Sequence, residues 1–273
     1  MALSPRIIQY YSGQGRVYVG PSGGVQSLTD VNAAGFRWLG NVPQFAYTPE
    51  EEATVHQESY SGIRSEDRRV VTARRINGTV TLEDVSPANL ALLNIGDVVP
   101  VTASTVADED IGDPAVNNLI KLAQEGISSL VIKDSATVPA TLPSAGYTID
   151  ADHGVVTITD KTTGGPYTAP FLASYSYAAR RRVSMFTTVG QTFVSLLFTG
   201  VNTVEADNSG DPLPITAMFY KAEIIPGQQI QLIGTEIQSF ELAFAARIDD
   251  TKSSSAALGQ FGFLSFDVPP EDV

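Results

Sequence analysis

The chain has 273 residues, no cysteine, 43% hydrophobic residues and a net charge of −13 at neutral pH. That length suits one large domain or two small ones with a core of useful size. Without cysteine there is neither a disulfide scaffold nor a thiolate metal site, and the acid excess opposes the counterion release on which a DNA or RNA binder depends. The excess is uneven: residues 97–160 hold 10 acids against 2 bases and residues 203–273 hold 11 against 3, whereas residues 161–202 carry +4. No charged region followed by an apolar run opens the sequence, and no stretch approaches the ~20 consecutive apolar residues of a membrane span. A soluble product made in a cytoplasm is expected. The 16 prolines and 23 glycines are spread along the chain, which favours many short strands.

Taken in order, residues 7–11 and 16–19 read as strands joined by Ser12-Gly13-Gln14-Gly15, and a second glycine loop spans residues 20–24. Neither loop is a phosphate cradle, because no Gly-Lys-Ser/Thr follows and the dinucleotide spacing is absent. Residues 36–47 are apolar and aromatic enough for a buried strand broken at Gly40-Asn41. Glu50-Glu51-Glu52 reads as an acidic turn, with residues 54–57 extending beyond it. Residues 70–76 and 79–85 flank Asn77-Gly78, a strong short-range hairpin signal.

A short helix follows. Ser86 is a good N-cap, Pro87 fits the first turn and Gly96 is a stop, with Leu90, Leu93 and Val85 turned toward the sheet. Residues 100–112 read as an acidic linker, and a second helix is expected from Asp113-Pro114 to Glu125, with Val116, Leu119, Ile120 and Ala123 on one side. Residues 130–132, 147–149, 155–158 and 171–177 read as short strands. Longer strands return at 192–198, 215–225, 230–233 and 237–248, where Phe240, Leu242 and Phe244 alternate strictly with Ser239, Glu241 and Ala243. Residues 251–257 are a Ser/Ala-rich loop, 261–266 a last edge strand and 269–271 a loose tail. The expected fold is mainly β: a sandwich with one short flanking helix from residues 1–103 and 183–273, and a small β-rich insertion at 104–182.

No catalytic constellation emerges. The only histidines are His56 and His153, and His56 sits in a polar alternating strand, where a surface role is expected. Asp150, Asp152 and His153 form the best metal-like cluster, but they occupy a turn between strands, where Asp and Gly belong for backbone reasons. Asp108-Glu109-Asp110 with Asp113 lacks the alternating ligands and terminal glutamate of a calcium loop. No Gly-x-Ser-x-Gly elbow is present, and nothing selects a glycosidase pair among the 30 acids. No enzyme, metal or cofactor is expected.

The arginines stand out. Arg64, Arg68, Arg69, Arg74 and Arg75 fall close together, and Arg180-Arg181-Arg182 forms a second group, together 8 of the 17 basic residues. Nucleic-acid contact would call for interleaved aromatics, and none accompany them. Self-association, with arginine-rich loops meeting acidic faces of neighbouring copies, is the favoured reading.

Together, Leu39-Gly40-Asn41-Val42-Pro43, the Ser61-Gly62-Ile63-Arg64 loop and the run from Gly78-Thr79-Val80-Thr81-Leu82 through Ser86-Pro87-Ala88-Asn89-Leu90 resemble the major tail tube proteins of tailed bacteriophages. Glu236-Ile237-Gln238-Ser239-Phe240-Glu241-Leu242 is similar to that family's closing strand. Gly146-Tyr147-Thr148-Ile149-Asp150, Gly154-Val155-Val156-Thr157-Ile158 and Ala173-Ser174-Tyr175-Ser176-Tyr177 are similar to the β module many members carry. The resemblance covers residues 36–97 and 145–250 and is most specific at 78–92.

It implies a homohexameric ring whose inner strands join into one intersubunit barrel, with rings stacking into a tube. The tube encloses the tape-measure protein and conducts DNA into the host without binding it specifically. Tail terminator and baseplate or initiator proteins are the further partners, and the location is the virion tail, reached from the host cytoplasm. The insertion faces outward, and Arg64, Arg68 and Arg69 meet acids of an adjacent ring, with Arg74 and Arg75 in the same contact region. A negative wall would let DNA slide. The alternative is an outward carbohydrate- or receptor-binding module of a virion, for which Tyr167, Tyr175 and Tyr177 are the candidate groove residues.

Overall fold

A computed structural model describes residues 10–21, 35–60, 62–187, 192–206, 210–226, 229–250 and 259–267. The fold is mainly β, with antiparallel sheets and, among the described residues, one α-helix. Two compact units result: Met1–Asp97 with Val183–Val273, and Val98–Arg182.

The first unit is built on one eight-stranded sheet. Its strands are β1 (Gly13–Pro21), β2 (Arg37–Trp38), β3 (Gln44–Gln57), β4 (Glu66–Leu82), β13 (Phe193–Ala206), β14 (Pro212–Ile225), β15 (Phe240–Ala246) and β16 (Gly262–Phe266). Their order is β2-β1-β13-β14-β15-β4-β3. One edge of β14 carries β13; the other carries β16 opposite Ile215–Phe219 and then β15 opposite Ala222–Ile225.

Alternation sets the faces. Val17, Leu39, Val80, Leu82, Leu196, Phe219, Leu242 and Phe244 form the main core. On the other face of β13 and β14, Leu197, Met218 and Tyr220 form a smaller cluster with Phe263 packed against it. Phe45, Phe219 and Phe244 pack as an aromatic group, their ring centroids 5.3–6.0 Å apart.

The helix, α1 (Pro87–Leu93), starts as expected. The Ser86 hydroxyl accepts the Asn89 N–H at 3.3 Å and Pro87 occupies the first turn. Its end differs from expectation, because Ile95 rather than Gly96 takes the left-handed conformation, with φ of 46°. Gly96 is required for another reason: a β-carbon there would lie 1.9 Å from the Ser184 carbonyl oxygen. Leu92 and Leu93 pack on the core, whereas Val85 is exposed.

Several local signals yield to longer-range pairing. Asn77-Gly78 is no turn; it lies inside β4, with Gly78 between Tyr47 of β3 and Phe244 of β15. The hairpin reverses instead between the end of β3 at Gln57 and the start of β4 at Glu66, and Glu50-Glu51-Glu52 lie inside β3. Ser12-Gly13-Gln14-Gly15 is not a loop either, since β1 begins at Gly13 and Gly15 pairs closely with Gly200. Residues 230–233 form no strand. The expected strand at 7–11 falls mostly, and the loop at 251–257 and the tail at 269–271 fall wholly, outside the described residues.

The second unit holds β5 (Val98–Val101), β6 (Ser104–Gly112), β7 (Leu119–Lys121), β8 (Ile127–Lys133), β9 (Tyr147–Asp150), β10 (Val155–Ile158), β11 (Phe171–Tyr177) and β12 (Arg180–Val183). They form three small sheets, β7-β10-β9, β6-β11-β8 and β12-β5. The acidic stretch expected to be a linker is therefore two strands, and the unit starts at Val98 because β5 pairs with β12. The helix expected from Asp113 to Glu125 is absent. Asn117 and Gly126 adopt φ of 70° and 62°, and the Asn117 N–H bonds the Ile158 carbonyl at 2.7 Å, which interrupts any helical ladder. Leu122, Ile132, Leu142, Ile158 and Phe171 centre this unit's core.

Candidate assembly surface

The five arginines singled out from sequence lie on the β3–β4 hairpin. Strand β15 supports β4 only over Ile76–Leu82. Outward from Arg75 the two strands pair, among the described residues, only with each other, so Glu66–Arg75 forms a ribbon about 30 Å long at ~3.3 Å per residue. A two-stranded ribbon is marginal by itself in water, so its stability depends on side chains.

One face holds Tyr47, Pro49, Glu51, Ala53 and Val55 beside Gly78, Ile76, Arg74, Val71 and Arg69. A register slip leaves Thr72 unpaired, its hydroxyl donating to the Glu52 carbonyl at 3.2 Å. The slip decides which residues share a face: without it, Arg69 would turn away from Glu51. The Glu51 carboxylate receives Arg69 Nη1 at 2.7 Å and Arg74 Nε at 3.1 Å. Hydrogen bonds from Arg74 and Arg69 hold the Glu51 carboxyl below its ordinary range. On the opposite face Arg75 pairs with Glu52 at 2.8 Å and Asn77 Nδ2 donates to Glu50 at 3.0 Å. His56 Nδ1 lies 2.6 Å from Asp67.

Glu58 closes the tip. Its buried carboxylate accepts the Tyr60 N–H at 2.8 Å, and its own N–H donates to the Ser65 carbonyl at 3.0 Å. The tip presents Tyr60 and Ile63 at 87% and 82% exposure. Next to them Arg64 sits in the left-handed region at φ of 54°. Neither Arg64 nor Arg68 forms an ion pair among the described residues. The structure thus splits the arginine group: Arg69, Arg74 and Arg75 brace the ribbon within the chain, and Arg64 and Arg68 remain as outward cations. Arg69, expected to meet a neighbouring copy, has Glu51 of its own chain as a partner, and its side chain is still 59% exposed.

Elsewhere, Arg180 pairs with Glu125, and Arg182 reaches Gln124 at 3.4 Å. Asp150 accepts both the backbone N–H and Nδ1 of His153, at 3.2 and 2.9 Å. Asp108 binds Lys133, Glu109 accepts the Tyr175 hydroxyl, and Asp113 binds Lys161. These acids turn to separate partners, and among the described residues no three His, Asp or Glu side chains gather as a metal site requires. Tyr175 is buried, and Tyr167 and Tyr177 pack against the same core. Burial, then the bond to Glu109, pushes the Tyr175 phenol well above its ordinary value. No helix among the described residues is long and apolar enough to cross a membrane.

Sequence reasoning missed a groove of about 480 Å³ in the first unit. Tyr11, Val17, Val42, Phe45, Phe198 and Ile215 are among its lining residues, and none of the lining side chains among the described residues is charged. Its walls come from β1, β3, β13, β14 and β16, so only the assembled sheet reveals it.

A search of curated proteins found no match. The family described as "Protein of unknown function UCP028589" matches residues 10–265. Spanning nearly the whole sequence, that match shows that the chain belongs to this family.

Proposed function

We propose that this chain is a structural virion protein, the major tail tube protein of a tailed bacteriophage. Six copies form a ring, and rings stack into a tube that encloses the tape-measure protein and later conducts DNA. Terminator and baseplate or initiator proteins cap the tube, which is built in the host cytoplasm and ends in the virion tail. The sandwich form of the first unit and the intersubunit barrel belong to the same proposal.

One observation carries this reading: a ribbon about 30 Å long that, among the described residues, is unsupported beyond Arg75 and has an unpaired outer β3 edge and a cationic tip. Exposed long edges are a liability that soluble proteins cover. Pairing β3 with a strand of the next copy would cover this one and close a barrel. Charge supports the same reading, since the first unit carries 21 acids against 11 bases. A wall of that sign repels phosphate, and the acidic faces offer partners to Arg64 and Arg68.

The test is light-scattering mass against concentration for wild type and for Arg64→Glu/Arg68→Glu. Wild type is expected to reach multiples of six chains, and the double reversal to raise the concentration needed at least tenfold. Wild-type mass that stays at one chain up to millimolar concentration, with initiator and tape-measure protein supplied, overturns the proposal. The tyrosines that a sugar- or receptor-binding module would present are taken up by the second unit's core, so no observation favours that reading.

A further inference from the structure

The connection from β14 to β15 carries Leu232, Ile233 and Ile237 at 89%, 90% and 87% exposure. These are large aliphatics in open water, close together in one segment whose only charge is Glu236. The segment has defined local geometry: Gln231 Nε2 donates to the Ile233 carbonyl and Gln238 Nε2 to the Glu236 carbonyl, each at 2.8 Å. Its side chains are nonetheless turned outward. An apolar projection of this kind marks an interaction site.

The uncharged groove is its counterpart. Ile215 and Ala217 line the groove, and the projection follows Ile225 on the same strand. Eight residues of strand separate Ala217 from Ile225, about 26 Å, so projection and groove lie toward opposite ends of β14. We propose that Leu232, Ile233 and Ile237 of one copy seat in the groove of the next. This rests on the self-assembly reading above and names one of its contacts.

Charge selects a second copy as the occupant. Every copy carries −13, so two copies repel wherever their acidic faces meet. Among the described residues the groove has no charged lining residue and the projection has one carboxylate, so here they approach with little penalty. A projection and a groove at different places on one molecule make a head-to-tail contact, which either closes into a ring or continues as a filament.

The chain has no cysteine, so Ile233→Cys and Gln14→Cys, at the groove, each carry a unique thiol. Equal amounts of the two variants are mixed and treated with a short bismaleimide. A doubled-mass product is expected in the mixture and in neither variant alone. Leu232→Ser/Ile233→Ser/Ile237→Ser should raise the assembly concentration at least tenfold while leaving the melting of Trp38 fluorescence unchanged. If wild type assembles, the cross-link is missing and the triple variant assembles at the same concentration, this contact is wrong and the tube reading survives. An equal cross-link from the exposed Val138→Cys to Gln14→Cys would also overturn it, as indiscriminate collision. A wild type that does not assemble, together with no cross-link between the two cysteine variants, overturns both.

Discussion

Gly78→Ala tests the register on which the assembly surface depends. A β-carbon at Gly78 would lie 2.4 Å from Cζ of Phe244 and 2.6 Å from the Ala46 carbonyl oxygen, about 1 Å inside ordinary contact. Phe244 is fully buried, with Phe219 at 5.3 Å and Phe45 at 6.0 Å between centroids, so its ring has no space to retreat into. Overpacking of this kind costs about 1–3 kcal/mol. The additional approach to a backbone oxygen places this case toward the upper end. At roughly 2–4 °C per kcal/mol for a domain of this size, the midpoint should fall by about 5–10 °C. Trp38, the sole tryptophan, lies on β2, so its fluorescence follows the first unit. If Asn77-Gly78 were a turn, the new methyl group would meet no ring. A Gly78→Ala melt within about 1 °C of wild type would refute the register.

Three other outcomes follow from named contacts. The buried Asn89 Nδ2 donates to the Leu39 and Asp84 carbonyls at 2.9 Å each, so Asn89→Ala should lower first-unit stability by about 2–4 kcal/mol in urea titration; a loss under about 0.5 kcal/mol would contradict it. Glu51 ionises more readily in the folded ribbon than at its ordinary value of 4.5. Its contribution is therefore complete above that value and is lost as pH falls through the lower folded value. Hydrogen exchange in residues 66–75, corrected for intrinsic rates, should quicken at pH 3 relative to pH 6 in wild type but not in Glu51→Gln; equal pH dependence in both would sink the idea. Finally, the Ser184 N–H bonds the Asp97 carbonyl at 3.0 Å, so the chain leaves and re-enters the first unit at one place. Replacing residues 98–182 by a short Gly/Ser linker should leave the Trp38 melt within about 3 °C of wild type, and loss of cooperative melting would show that the unit needs its insertion.

Much of the strand inventory was legible because alternation in β14 and β15 reflects a sheet covered on one or both faces, and because the Ser86-Pro87 start is a local device. Register was not legible. Asn77-Gly78 carries a strong local turn signal, yet the ladder to both β3 and β15 rewards an extended Gly78, whose missing side chain admits the Phe244 ring. Glu50-Glu51-Glu52 reads as a turn because strands seldom carry three acids, but a ribbon exposed on both faces accepts them once arginines stand opposite. Residues 230–233 look like a strand by composition alone, and only the structure places the side chains of Gln231, Leu232 and Ile233 in solvent. The arginine group was visible from sequence; its division into bracing and outward members depended on the bulge at Thr72, which no local pattern announces.

The most direct test of the central claim is negative-stain microscopy of purified wild type across concentration, with the phage initiator complex added at the highest. The account predicts six-fold rings and stacked tubes with an open central channel, and fewer or shorter tubes for Arg64→Glu/Arg68→Glu. Dispersed single particles of one chain under every condition, initiator included, would contradict it.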